Sequence, residues 1–240
     1  MSKRFRWMAL LTVAVVVLVA AGIRSGSQTL ESVQAAAAAP PITVVIDAGH
    51  GGEDGGAVSV SGVLESRLNL EIAERADAFL ALLGYGTRMV RDSDTAIYDP
   101  TAETLSQKKV SDLHNRAALV NETPGALLLS IHQNTYSDGR YHGAQVFYAR
   151  TEGSQALAER LQETLAGVLD PDNHRKAKTA DSVYLLNHIA CTGVLVECGF
   201  LSNQEEDLRL QDAGYQTKLV LAMGAALNGW ALGELEKLEV

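Results

Sequence analysis

The 240-residue sequence predicts an α/β fold: a single domain with a mostly parallel twisted sheet covered by helices on both faces. Two observations lead there. Short, wholly apolar runs of strand length alternate with longer runs whose apolar residues recur at helical spacing. The short runs also lack a polar face, as strands covered on both sides require.

The elements follow in chain order. Ile42–Ile46 (ITVVI) is β-branched, follows a Pro pair and reads as a central strand. Asp47–Gly56 is a glycine-rich loop. Leu68, Ile72, Ala76, Phe79, Leu80 and Leu83 then mark one helix face, and Gly84 closes that helix. Tyr85–Val90 reads as a second strand, Tyr98–Ser111 as a polar loop, and Leu113, Ala117 and Val120 as a short helix. Ala126–Ile131 and Ala144–Ala149 are further strands. Gly153–Leu169 is a helix with Leu157, Leu161, Leu165 and Leu169 on one face. Tyr184–Ile189 fits helix or strand. Val194–Val196 is a strand, and Gly214–Leu232 is the last helix.

Ahead of this domain, Lys3, Arg4 and Arg6 precede an uncharged run from Trp7 to Ile23. Basic residues before an apolar segment form an export signal. The run suits a cleaved signal and an uncleaved membrane anchor alike, so the protein is expected to be exported, and either secreted or anchored. Ser25–Pro41 reads as a linker. The expected division is 1–41 for signal or anchor plus linker, and 42–240 for the catalytic domain.

The formal net charge is −9. Lys3, Arg4, Arg6 and Arg24 against Glu31 give residues 1–41 a net +3, so the remainder carries −12. Such a domain is a poor partner for nucleic acid, whose phosphates demand Lys and Arg. Export would permit a disulfide. However, an extended segment between Cys191 and Cys198 separates them beyond bridging distance, so two free thiols are expected.

In open α/β sheets, chemistry collects beyond the carboxyl ends of the strands. Three polar clusters stand there: Asp47-Ala48-Gly49-His50-Gly51-Gly52, His132-Gln133-Asn134 and Glu197-Cys198-Gly199. Hydrolytic zinc takes three ligands from His and carboxylate and lowers the pKa of water. His50 and His132 supply two nitrogens. The third ligand is open among Glu65, Glu53, Asp54, Asp47 and Glu197. Glu65 is favoured because it opens the first long helix and can lean back over the strand ends. The glycine loop has neither the Lys-Ser/Thr of a P-loop nor the dinucleotide fingerprint. No Gly-x-Ser-x-Gly elbow marks a serine hydrolase.

Together these motifs resemble a known family. Val45-Ile46-Asp47-Ala48-Gly49-His50-Gly51-Gly52, Glu65 ahead of Leu68-Asn69-Leu70, Ser130-Ile131-His132-Gln133-Asn134, and Val196-Glu197-Cys198-Gly199-Phe200-Leu201-Ser202-Asn203 look like the zinc N-acetylmuramoyl-L-alanine amidases. The resemblance spans Ile42 to about Leu232. It implies Zn2+ held by His50, Glu65 and His132, with Glu197 as catalytic acid–base. The implied reaction hydrolyses the amide between N-acetylmuramic acid and the L-alanine of the peptidoglycan stem peptide. Asn134 is a candidate substrate contact. Many members carry Ala where this chain has Gln133. That departure, with Tyr184–Ile189 and the short N-terminal anchor, is similar to the germination-specific, spore-cortex branch, which prepares muramic δ-lactam. A vegetative or division amidase and a wall carboxypeptidase are the alternatives. The expected setting is the cell wall or spore cortex, with a regulatory or activating protein partner. His114, His142, His174 and His188 receive no role, and His188 is expected at the surface.

Overall fold

The computed structural model describes residues 42–238, with side chains as far as residue 234. The expected signal or anchor and its linker lie outside the described residues. Among those described, no helix is long and apolar enough to cross a membrane.

The chain runs β1 (Thr43–Ala48), α1 (Glu65–Leu82), β2 (Gly86–Met89), α2 (Leu105–Glu122), β3 (Ala126–Asn134), β4 (Gln145–Tyr148) and α3 (Ser154–Leu169). It continues through β5 (Lys178–Thr179), α4 (Tyr184–His188), β6 (Thr192–Phe200), α5 (Gln204–Leu210) and α6 (Ala213–Leu238). The strands form one sheet in the order β2-β1-β3-β6-β4-β5. β2, β1, β3 and β6 are mutually parallel, whereas β4 runs antiparallel to β6.

Because side chains alternate along a strand, the sheet feeds two cores. Val44, Ile46, Leu129, Ile131, Val194 and Val196 face α1, α3 and α6, which bring Leu68, Ile72, Leu157, Leu161 and Leu219. Val45, Leu128 and Leu195 face α2 and α4, which bring Ala117, Val120, Leu185 and Leu186. Burial on both faces explains the unbroken apolar runs.

The structure departs from the expectation in three places, and it decides one segment left open. α2 starts at Leu105, so half of the polar Tyr98–Ser111 loop is helical. Thr104 starts it: its hydroxyl accepts from Gln107 N, and the Gln107 side chain accepts from Thr104 N. This capping box is legible as Thr-x-x-Gln, but the first helical turns are solvent-facing and carry little apolar signal. Tyr184–His188 resolves as a helix. β3 and β6 run on through Asn134 and Phe200, so His132 and Glu197 stand within strands rather than after them. β5 and α5 were not expected: β5 has two residues, and α5 is a short helix capped by the Asn203 side chain. Cys191 and Cys198 are free, as expected.

Candidate metal centre

Two adjacent parallel strands put His132 directly beside Glu197. Both belong to the strand face that carries Leu128 and Leu195, under α2 and α4. β1 pairs with β3 on its other edge, and its ladder continues one step as Gly49 N donates to Ile131 O at 3.0 Å. The chain then turns sharply. His50 adopts φ 62°, a left-handed conformation rare outside glycine, and Gly51 and Gly52 follow at positive φ. A non-glycine residue held there costs about 1–3 kcal/mol and persists only where its surroundings enforce it.

Two buried arginines do the enforcing. Arg91 donates to the carbonyls of Ala48, Gly49 and Ser66. Arg116 donates to Asp47 Oδ1 at 2.5 Å and to the carbonyls of Ala48 and His50 at 2.9 and 2.8 Å. The reversed loop therefore aims its carbonyls at fixed positive charge. Gly49 is required for a different reason, since a Cβ there would stand 2.2 Å from the His132 ring.

The loop and the start of α1 bring three side chains together. His50 Nε2 lies 3.3 Å from Glu65 Oε2, and His132 Nδ1 lies 3.0 Å from Glu65 Oε1. One donor atom from each of the three falls within 4.8 Å of the others, a grouping able to hold a metal ion. The spacings approximate the edge of a tetrahedron of nitrogen and oxygen ligands around one ion, about 3.4 Å for bonds of about 2.0–2.1 Å. The second nitrogen of His50, Nδ1, bonds Asp54 Oδ2 at 3.0 Å, which leaves Nε2 for an ion. Glu65 is steadied by Ala57 N, Gln133 N and Asn69 Nδ2.

Electrostatics match this grouping. Burial works against ionisation at both sites, but the contacts outweigh it. Glu65 and Asp54 hold the His50 imidazolium up to about 9. The two histidines press the Glu65 carboxyl far below its usual range. Such concentrated negative charge suits a cation. Glu197 behaves oppositely: burial raises it to about 7, with the Glu65 charge adding and the two histidines opposing. Its Oε2 is buried without a hydrogen-bond partner. A buried, unpartnered carboxylate oxygen beside this cluster is poised for a proton or a ligand.

The other third-ligand candidates are engaged elsewhere. Asp47 pairs with Arg116 and accepts from Ser130 at 2.6 Å. Glu53 pairs with Lys108. Asp54 lies behind His50 and pairs with Lys109. Asn134 ends β3, where its carbonyl accepts from Leu201 N at 2.8 Å. Gln133 is buried, and its Nε2 donates to Asn69 Oδ1 at 3.2 Å. Arg91, Arg116 and Asp54 were not singled out for these supporting roles. The Asp112–Arg116 pair, one helical turn apart before the buried Ala117 and Val120, was the available signal for one of them.

A cavity of about 330 Å³ opens over His50, His132 and Glu197 and reaches Val183 and Tyr184 of the opposite wall. The family described as N-acetylmuramoyl-L-alanine amidase matches residues 44–228. A germination-specific N-acetylmuramoyl-L-alanine amidase of Bacillus subtilis (strain 168) is 36% identical over 177 residues, covering 73% of this chain and 74% of the relative. The amidase LytC of the same organism is 33% identical over 184 residues, covering 75% of this chain and 34% of the relative. Among solved structures, the CwlD amidase from Clostridioides difficile, in complex with the GerS lipoprotein, superposes with a TM-score of 0.76 at 33% identity. That match covers 79% of this chain and 98% of that one.

Proposed function

The chain belongs to the N-acetylmuramoyl-L-alanine amidase family, whose substrate is peptidoglycan, and we propose that it cuts the muramyl–L-alanine amide with zinc held by His50, Glu65 and His132. The observation that carries this reading is the convergence of those three side chains beside the unpartnered Glu197 Oε2. Two neutral imidazoles and one carboxylate are a donor set that suits zinc and leaves a fourth position free. Zinc bound there would lower the pKa of water toward neutrality and polarise the scissile carbonyl.

The chain's own residues do the rest. Glu197 Oε2 takes the proton of the attacking water and returns it to the departing alanine nitrogen. Its affinity for protons near neutrality suits both halves of that exchange. Asp54 orients His50 through Nδ1, and Gln133 N and Asn69 orient Glu65. Asn134, at the end of β3, is a candidate contact to the substrate.

Relatives named N-acetylmuramoyl-L-alanine amidases support action on the wall, after export by residues 1–41, which stay as an anchor or are removed; residues 42–240 act as the catalytic domain. The match to the germination-specific relative favours the spore cortex, where stem-peptide removal precedes δ-lactam formation. The lipoprotein complex of the CwlD amidase supports control by a protein partner. A vegetative wall role is the second reading, in keeping with the match to LytC, an amidase whose name carries no restriction to germination.

Product analysis tests the chemistry. Stem peptides beginning with L-alanine are expected from purified peptidoglycan, and release of terminal D-alanine alone would contradict the amidase reading. E197Q should lower the rate by at least about 10²-fold while zinc remains bound. H50A and H132A should lower both zinc content and activity. Muropeptide profiles of cortex and vegetative wall, with and without the protein, separate the two settings.

A further inference from the structure

The cavity over the metal centre shares Asp54, Lys109 and Asp112 with a second cavity of about 240 Å³, whose far side carries Ala96, Tyr98 and Leu105. The two cavities adjoin at these three residues, Lys109 among them. This domain carries a net charge of −12 over residues 42–240, from the −9 of the chain and the +3 of residues 1–41. An anionic ligand therefore enters these cavities only where a fixed cation receives it.

Most cations there are already committed. Arg116 is buried and engaged by Asp47 and Asp112. Lys108 pairs with Glu53 at 2.5 Å and stands over the Tyr98 ring. Lys109 differs. Its side chain is 59% exposed and 3.1 Å from Asp54 Oδ1, while Asp54 Oδ2 engages His50. An ammonium has three donors, so contact with one carboxylate leaves it able to bind another. Two successive contacts, 3.1 Å and 3.0 Å, place its Nζ within about 10 Å of His50 Nε2.

The chemistry of the substrate fits that distance. Once its lactyl carboxyl is in the amide, the glycan arm offers no carboxylate at the cut bond, whereas the stem peptide does. In an extended stem whose second residue keeps a free α-carboxylate, that group lies about 6–7 Å from the scissile nitrogen. Building on the amidase reading, we propose that Lys109 binds this carboxylate, and that the stem peptide leaves the metal centre by the second cavity toward Tyr98.

Matched muropeptides, with the second-residue carboxylate free or amidated, test this in the zinc-loaded enzyme. The wild type should favour the free acid by about tenfold in kcat/KM, mostly through KM, as a charge-assisted contact would give. K109Q should bring the ratio near one, and K109R should retain it. A merely structural role for Lys109 would move both substrates alike. An equal ratio in the wild type, or an undiminished preference in K109Q, would overturn the proposal and leave the amidase reading standing. Cleavage of neither substrate by the wild type would overturn both.

Discussion

Glu197 meets two opposed demands. It must be charged to accept a proton, and its burial disfavours that charge. The sign of the resulting pH dependence follows. A carboxyl raised from 4.5 to about 7 binds its proton more tightly in the folded chain than in the unfolded one. In the metal-free protein its contribution to stability therefore falls as pH rises from about 4.5 to 7, and stays low above that. E197Q removes that penalty. Metal-free E197Q should gain thermal stability relative to metal-free wild type at pH 8, compared with pH 5. A constant difference in Tm across that range would show that Glu197 is not held in a proton-favouring setting. At this scale the sequence was highly informative about which residues matter. His50, His132 and Glu197 were legible as polar residues ending apolar runs. Spacing favoured Glu65 without excluding Glu53 or Asp54, because all three lie within one loop-to-helix stretch. Their partners in space distinguish them: two imidazoles for Glu65, Lys108 for Glu53, and His50 with Lys109 for Asp54.

Between residue and molecule, β1, its glycine loop and α2 act as one assembly. Arg116 reaches from α2 into the end of β1, and both it and Asp47 have side chains only 2% exposed. Burial opposes the Asp47 charge, yet Arg116, His132 and Ser130 hold its carboxyl below the usual range. The pair therefore stabilises the fold above the ordinary carboxylate pKa, and loses that effect as pH drops through the depressed value. R116M would leave Asp47 buried without its countercharge and free two loop carbonyls. A loss of about 3–5 kcal/mol is expected in denaturant unfolding, with reduced zinc affinity because the His50 turn relaxes. A loss under about 1 kcal/mol would show that the loop holds its shape without the guanidinium. This assembly was poorly legible in the sequence. Apolar periodicity finds helix faces, but a buried Arg pointing into a strand end breaks the pattern that reveals them. The α2 start shows the same weakness: a capping box was available, whereas the solvent-facing first turns offered no apolar stripe.

Over the whole molecule, the candidate metal centre draws on the loop after β1, the first turn of α1 and the end of β3, so an ion bound there would join segments distant in sequence. An ion that binds the folded chain alone stabilises it by about 2.7 kcal/mol at a free concentration 100 times its Kd. Chelation should therefore lower Tm as well as abolish cleavage, and added zinc should restore both. An unchanged Tm in the chelated protein would point to an ion that the fold does not need. The sequence by itself determined the α/β class, the strands that form the sheet centre and the candidate site residues His50, His132 and Glu197. Those properties are written in local apolar runs and in the residue types that follow them. Only the tertiary structure decided that β4 turns antiparallel, that β3 and β6 carry His132 and Glu197 side by side, and that two arginines hold the His50 turn. Strand order, register and the partners of buried charges depend on residues far apart in the chain, and no local pattern encodes which of them meet.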